Sequence, residues 1–287
     1  MKNGNNTIGD AVSYITGLIS DLYAHREALA ISKTVLSHIT GLSNPSVLAS
    51  ANSPLSIPDR DKINKICLEL KQSRPIQYII GATEFYGVNL KINENVLIPR
   101  TETEEMVDLI IKENSQKNLR IIDIGTGSGC IAISLALHMD NPQVTGMDIS
   151  EKALKIASEN ARNNDCNIKF FFADITDPDM ETGESYDIIV SNPPYVRHSE
   201  KAMMHRNVTG YEPEQALYVG DDDPLLFYRH IIDYSTDTLS QGGRLYLEVN
   251  EVFGTEVREL LERAGYTSTR IVRDINEKDR IVAATRV

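Results

Sequence analysis

The sequence predicts an α/β protein: a mostly parallel sheet of seven strands with helices on both faces, preceded by a small helical bundle. Three observations carry this. Over residues 7 to 72 apolar side chains recur at helical spacing. From residue 119 onward short apolar runs alternate with helical segments, the pattern of a sheet covered on both sides. Every chemically unusual motif then falls at the end of such a run, where sheets of this kind bind ligands.

The elements follow in order. Ile8, Val12, Ile15, Ile19 and Leu22 form one helical face behind a Thr7 cap, and "ALAISKTVLSHITG" is a second helix stopped by Gly41. "NPSVLASANSP" reads as a turn with a short helix, and "PDRDKINKICLELKQ" as a helix with Ile63, Ile66, Cys67 and Leu70 on one side. The period then changes. "FYGVNLKIN" alternates Val88, Leu90 and Ile92 as a strand does, and with "PIQYIIG" it suggests a β-hairpin connector. "IPRTETEEMVDLII" starts a helix, with Thr101 and Glu104 at capping-box spacing. "LRIIDI", "QVTGMDI", "IKFFFAD", "YDIIVSN" and "GRLYLEV" are strands, joined by two more near 269–273 and 280–285. Helices are expected at 130–138, 151–163, 224–239 and 252–264. The chain thus divides into a helical segment 1–74, a connector 75–98 and an α/β domain 99–287.

Composition excludes several classes. The chain has 287 residues with 29 basic and 41 acidic side chains, a net charge of −12. Such a surface argues against broad nucleic-acid binding, which phosphate neutralisation drives. No run approaches the ~18 apolar residues of a membrane span, and "MKNGNNTIGDAV" has no hydrophobic signal core, so a cytoplasmic location is expected. Cys67, Cys130 and Cys166 are far apart and the histidines scattered, so neither a disulfide framework nor a metal site is expected.

"IIDIGTGSGCIAI" places Gly125, Gly127 and Gly129 between a strand and a helix. Missing side chains let a ligand approach the backbone, and the helix start offers free N–H groups. The spacing is GxGxG rather than that of a dinucleotide fold. Asp148 ends the second strand, where a carboxylate binds ribose hydroxyls. A nucleoside without a pyrophosphate fits, and S-adenosylmethionine is such a ligand. Asp174, ending the third strand, is placed to accept from an adenine amino group, with Ile175 over the ring. A solvated loop is the plainer account of "DDD" at 221–223, as is packing for Cys130 at a helix start.

"NPPY", Asn192 to Tyr195, ends the fourth strand. A planar nitrogen becomes more tetrahedral as it attacks a methyl group. Acceptors aimed at its two N–H groups, the Asn192 side-chain oxygen and the Pro193 carbonyl, hold it and favour that change. The proline rings stiffen the backbone that carries the carbonyl, and Tyr195 can pack on a flat substrate group.

These residues resemble class I S-adenosylmethionine-dependent methyltransferases that act on planar nitrogens. More narrowly the chain resembles the PrmC/HemK family, the peptide chain release factor N5-glutamine methyltransferases. The match includes "RPIQYIIGATEFYG", "LIPRTETEEMV", "DIGTGSGCIAISLA", "MDIS", "SNPPYV", "YEPEQAL", "GGRLYLEV" and "RDINEKDRIVAA". The resemblance implies a class I methyltransferase domain behind a helical domain that docks the substrate. It implies that Gly125, Thr126, Gly127, Ser128, Gly129 and Asp148 contact S-adenosylmethionine, that Asn192 touches cofactor and substrate, and that Asn192, Pro193, Pro194 and Tyr195 hold a glutamine amide. No metal, membrane or direct nucleic-acid contact is implied. Ile175 stands where the family often has an aromatic, and Asn250 where it often has Gly. "PRTE" rather than "PRSP" favours release factors over the sibling enzymes that methylate a glutamine of a ribosomal protein. An adenine N6-methyltransferase of DNA or RNA also uses an NPPY-type corner.

Overall fold

The computed structural model describes residues 7–178, 180 and 184–287. Residues 1–6 of the opening segment, read above for a signal core, lie outside these. The chain falls into two compact units: one runs up to Gly81 and takes in His205–Tyr211, the other holds Ala82–Met204 and Glu212–Val287.

The first unit is helical. In α1 (Ile8–Leu18) Thr7 and Asp10 form a reciprocal capping box that satisfies otherwise unpaired N–H groups. α2 (His25–Thr40) ends on Gly41 at φ +71°, a left-handed cap that glycine adopts without steric cost. α3 (Asn44–Ala49) and α4 (Ile57–Leu70) each follow a serine cap, with proline in the first turn where its missing N–H is harmless. Ile15, Ile19, Val35, Leu36, Ile63 and Leu70 meet in its core. "PIQYII" differs from its expected strand: it is the short helix α5 (Ile76–Ile80), closed by Gly81 at φ +78°. Burial of Ile76 in the bundle core and the left-handed glycine outweigh the β preference of its isoleucines.

The second unit opens with the hairpin β1 (Ala82–Phe85) and β2 (Val88–Lys91). Its two-residue turn puts Tyr86 and Gly87 at positive φ, as a tight hairpin requires. The Tyr86 N–H donates to Glu104 Oε1 at 2.8 Å. That contact engages the glutamate otherwise placed for a capping box, so α6 (Thr101–Glu113) starts from Arg100 without a side-chain cap.

β3 (Arg120–Ile124), α7 (Cys130–His138), β4 (Gln143–Asp148), α8 (Glu151–Asn163), β5 (Lys169–Phe172) and β6 (Tyr186–Ser191) follow. After β7 (Val196–Arg197) and a 3₁₀ turn, α9 (Arg206–Thr209) belongs to the helical unit, where the Tyr211 hydroxyl donates to the Gln72 carbonyl at 2.9 Å. α10 (Glu214–Leu217) and β8 (Tyr218–Val219), which pairs with β7, return the chain to the second unit. α11 (Leu226–Thr238), β9 (Leu239–Glu248), α12 (Gly254–Arg263), β10 (Thr267–Arg273) and β11 (Asp279–Thr285) complete it.

The sheet order is β10-β11-β9-β6-β3-β4-β5, parallel except at β11, which runs antiparallel to both neighbours. Ile122, Ile124, Leu245 and Leu247 face a core shared with Ile231 and Ile232 of α11 and Val257 and Leu261 of α12. Side chains alternate across a strand, so Tyr246 points the other way, and its hydroxyl donates to Glu113 at the end of α6 at 2.9 Å. Helices thus cover both faces. Among the described residues no helix is long and apolar enough to cross a membrane.

Gly146 of β4 sits beneath the glycine loop: a Cβ there would come within 2.7 Å of the Phe170 ring and 3.0 Å of Thr126 Oγ1. Gly146→Ala should therefore destabilise the protein by roughly 1–3 kcal/mol through overpacking. A urea melt read against wild type measures it, and an unchanged midpoint would mean that the ring moves aside freely.

Candidate active site

Parallel register assembles the site. Ile124 of β3 pairs with Met147 of β4 and with Ser191 of β6. The next residue on each strand is then Gly125, Asp148 or Asn192, so three motifs distant in sequence share one carboxyl edge. The turn after β3 is pinned there, because Gly125 and Thr126 N–H both donate to the Met147 carbonyl at 2.9 Å. Ser191 Oγ donates to the Ile124 carbonyl at 2.7 Å and locks the other side.

The three loop glycines have positive φ but differ in role. A Cβ on Gly125 would meet nothing within 4 Å, and one on Gly127 only the Gly125 carbonyl at 3.9 Å. Both line an open cleft of about 390 Å³. At Gly129 a Cβ would press on Ala157 and Ile133 at 3.2 Å, so this glycine lets α7 pack against α8. Asp148 also lines the cleft. Its Oδ2 accepts from Gly127 N–H and its Oδ1 from Ser150 N–H, both at 2.8 Å. Each oxygen keeps a lone pair for a further donor.

Asp174, Ile175, Asn192, Pro193 and Pro194 line the same cleft. Asp174 Oδ1 accepts from the Thr176 N–H and hydroxyl at 2.8 and 2.7 Å. Thr126 and Ser128 are buried behind the loop, with the Thr126 hydroxyl donating to Asp123 Oδ2 at 2.7 Å. Of the loop residues expected at the cofactor, the structure thus brings Gly125 and Gly127 to the cleft and sets Thr126, Ser128 and Gly129 behind it. Tyr195 lines a smaller adjoining pocket of about 110 Å³, shared with Asn192, Pro193 and Arg100.

A chain of side chains lies behind NPPY. Asn192 Nδ2 donates to Thr103 Oγ1 at 3.2 Å, and Thr103 Oγ1 donates to Glu248 Oε2 at 2.7 Å. The Tyr195 hydroxyl donates to Glu248 Oε1 at 3.1 Å. One fully buried carboxylate, at the end of β9, therefore gathers both ends of the corner. Arg100 Nη2 donates to Glu212 Oε1 at 2.7 Å, and Glu212 Oε2 accepts the Ile98 N–H at 3.2 Å, fixing the segment before α6. Asn250 Nδ2 reaches the Tyr195 carbonyl at 3.4 Å, so it braces the corner where a glycine would not.

Sequence reading missed Thr103 and Glu248, because only folding brings residues 145 positions apart into contact. It also missed Asn95, Leu97, Ile149, Gln215 and Phe227, which line the cleft. "YEPEQAL" and "LIPR" carried a signal without a role.

Burial governs the charges. Asp148 and Glu248 are both raised by desolvation, against the hydrogen bonds they accept. Burial likewise pushes the Cys130 thiol up to about 12, with the Asp123 charge adding to it, so the helix start does not activate this thiol. Two acids of the 221–223 run are engaged by neighbouring elements: Asp221 accepts from the Ser199 N–H and hydroxyl in the 3₁₀ turn, and Asp223 pairs with Arg229 of α11.

Known proteins bear on this architecture. The PrmC N-terminal domain profile matches residues 10–81, and the Methyltransferase small domain profile matches residues 103–210. A release factor glutamine methyltransferase of Bacteroides thetaiotaomicron is 42% identical over 274 residues, spanning 96% of this chain and 98% of that one. Another, of Flavobacterium psychrophilum, is 50% identical over 221 residues, 76% of this chain and 77% of its own. The crystal structure of a methyltransferase from Pyrococcus furiosus covers 76% of this chain and 98% of its own at 16% identity, with a TM-score of 0.54, a likeness of fold.

Asp123 generates a pH dependence. Burial raises its carboxyl from 3.8 to about 7, opposed chiefly by the Thr126 hydroxyl. Between those values the folded protein keeps a proton that the unfolded chain has lost, so this group's contribution falls as pH rises from about 4 to about 7. Asp123→Asn should remove that slope and be relatively more stable at pH 8 than at pH 4. Denaturant melts of both proteins across this range measure the gap, and a constant gap would refute the shift.

Proposed function

This chain belongs to the release factor glutamine methyltransferase family, and from that premise we propose that it methylates the side-chain amide nitrogen (N5) of the glutamine in the Gly-Gly-Gln segment of peptide chain release factors. S-adenosylmethionine supplies the methyl group, made electrophilic by its positively charged sulfur. One observation carries the mechanism: Asn192, which lines the cleft, spends an N–H on Thr103, and its side-chain oxygen remains an acceptor.

In this reading Gly125 and Gly127 let the cofactor approach the backbone, and the free lone pairs of Asp148 accept from its ribose hydroxyls. Asp174 accepts from the adenine amino group through the oxygen that Thr176 leaves free, and Ile175 covers the ring. Thr126, Ser128 and Gly129 hold the loop from behind. The glutamine NH₂ donates one hydrogen to Asn192 Oδ1 and the other to the Pro193 carbonyl. As nitrogen becomes tetrahedral and positive charge develops, both acceptors stabilise it without having to reorient. Pro194 stiffens the corner and Tyr195 lines the pocket beside it.

The net charge of −12 supports a protein rather than a nucleic-acid substrate, and a cytoplasmic location fits a translation factor as partner. Labelled S-adenosylmethionine offered with release factor, ribosomal protein, DNA and RNA side by side tests the assignment. Label on the Gly-Gly-Gln glutamine supports it; label only on ribosomal protein or on adenine overturns it.

Three variants probe the roles. Asp148→Ala should weaken S-adenosylmethionine binding about 10- to 150-fold, because hydrogen bonds to a charged acceptor are worth roughly 1.5–3 kcal/mol; calorimetry reads it. Asn192→Ala should lose on the order of 10²-fold in single-turnover rate with cofactor affinity retained, by analogy with removal of an oxyanion-hole donor. Asn192→Asp, which still accepts, should lose less. We assign the helical unit to substrate docking, since the cleft-lining residues lie beyond Gly81. A folded chain beginning at Ala82 should bind cofactor yet methylate intact release factor poorly; full activity on the intact factor would remove that role.

A further inference from the structure

We propose that Glu248, acting through Thr103, is a positioning residue that decides which atom of the Asn192 side chain is presented to the substrate. The inference rests on the methyl-transfer reading above and adds two residues to it.

The two ends of an Asn side chain have nearly the same shape but opposite chemistry, so something must choose between them. As a carboxylate, Glu248 only accepts. It lies fully buried, taking the Thr103 hydroxyl hydrogen on Oε2 at 2.7 Å and that of Tyr195 on Oε1 at 3.1 Å. Thr103 has a single hydroxyl hydrogen, and Glu248 holds it. Toward Asn192, Thr103 Oγ1 can therefore only accept, and it receives Nδ2 at 3.2 Å. Turning the amide over would set its oxygen against the Thr103 lone pairs and replace an attraction with a repulsion. The fixed orientation leaves Oδ1 for an incoming N–H.

On balance burial raises the Glu248 carboxyl, against the neighbouring groups that favour its acceptor-only form. Arg280 is held beside this corner by Asp274 at 3.1 Å and reaches the Val249 carbonyl at 3.4 Å, and its positive charge favours the carboxylate. The Thr103 and Tyr195 hydroxyls act in the same direction, while burial and the Glu102 charge oppose them. Tyr195 gives the arrangement a second purpose: its hydroxyl ties the far end of NPPY to the same oxygen pair, so the corner cannot tilt independently of Asn192.

The test uses the full chain with saturating S-adenosylmethionine and release factor in single turnover, and calorimetry for cofactor affinity. Thr103→Val keeps the shape and removes the hydroxyl. Glu248→Gln keeps the shape and can donate to Thr103, freeing the threonine hydrogen to turn toward Asn192. Both should lose on the order of 10- to 100-fold in methyl-transfer rate, the scale of a misaligned reacting group, with cofactor affinity within about twofold of wild type. Thr103→Ser, which restores the hydroxyl, should recover most of the rate. Wild-type transfer by Thr103→Val while Asn192→Ala is impaired would overturn the proposal, as would a rate loss matched by an equal loss of cofactor affinity. If Thr103→Val does not fold, the isosteric Glu248→Gln decides by the same criteria. Failure of the wild-type chain to methylate release factor would instead strike the functional reading on which the proposal stands.

Discussion

Register between β4, β3 and β6 is the constraint on which the rest of the site depends. Backbone pairing sets Met147, Ile124 and Ser191 side by side, and their successors Asp148, Gly125 and Asn192 leave the sheet together. A slip of one residue on any strand would exchange its two faces and set each side chain against the wrong helices, because both faces are covered. Burial of Ile122, Ile124, Met147 and Ile189 in one cluster therefore guards the geometry of the cleft as well as the stability of the fold. The Gly125, Thr126 and Ser191 hydrogen bonds to neighbouring strand ends add a local lock at the last rung.

Buried polar side chains extend that order into the loops. Asn160 of α8 exchanges two hydrogen bonds with the Lys91 backbone, at 2.7 and 2.9 Å, and donates to the Ser128 carbonyl at 2.9 Å. One amide thus joins the hairpin, a helix and the glycine loop. Such groups are costly to bury unless satisfied, so each demands a particular arrangement around it. Asp123 bears the same cost under the loop, where its raised affinity for a proton records how little water reaches it.

The parts that the sequence made readable are those in which a local pattern has a local consequence. Glycines at alternate positions after a strand, an acid at the next strand's end and prolines after a third each constrain their own backbone, and the parallel order follows from the alternation of elements. What stayed hidden depends on partners far along the chain. Thr101 and Glu104 have the spacing of a capping box, yet Glu104 serves the Tyr86 N–H, a partner that no window around residue 101 contains. "PIQYII" has strand composition, and only the bundle core that buries Ile76 makes it helical. Of the glycine loop, sequence could not separate Gly125 and Gly127, open to the cleft, from Gly129, which is filled by neighbours.

In the proposed reaction the two acceptors for the substrate amide solve one problem by different means. Electrostatic stabilisation is effective only if the dipoles already point where charge will develop. The Pro193 carbonyl meets this through covalent geometry, since rings on either side of it restrict the backbone. A side-chain amide has no such restraint: two rotatable bonds precede it, and its ends can exchange. It must borrow rigidity from partners whose own hydrogens are already committed. A hydroxyl alone would not suffice, because it can donate or accept. Only with an acceptor behind it does Thr103 become single-minded, and an ionised carboxylate is the side chain that accepts without donating. On this argument a glutamate at the fully buried end of β9, where desolvation works against its charge, is the cost of fixing one hydrogen two bonds away.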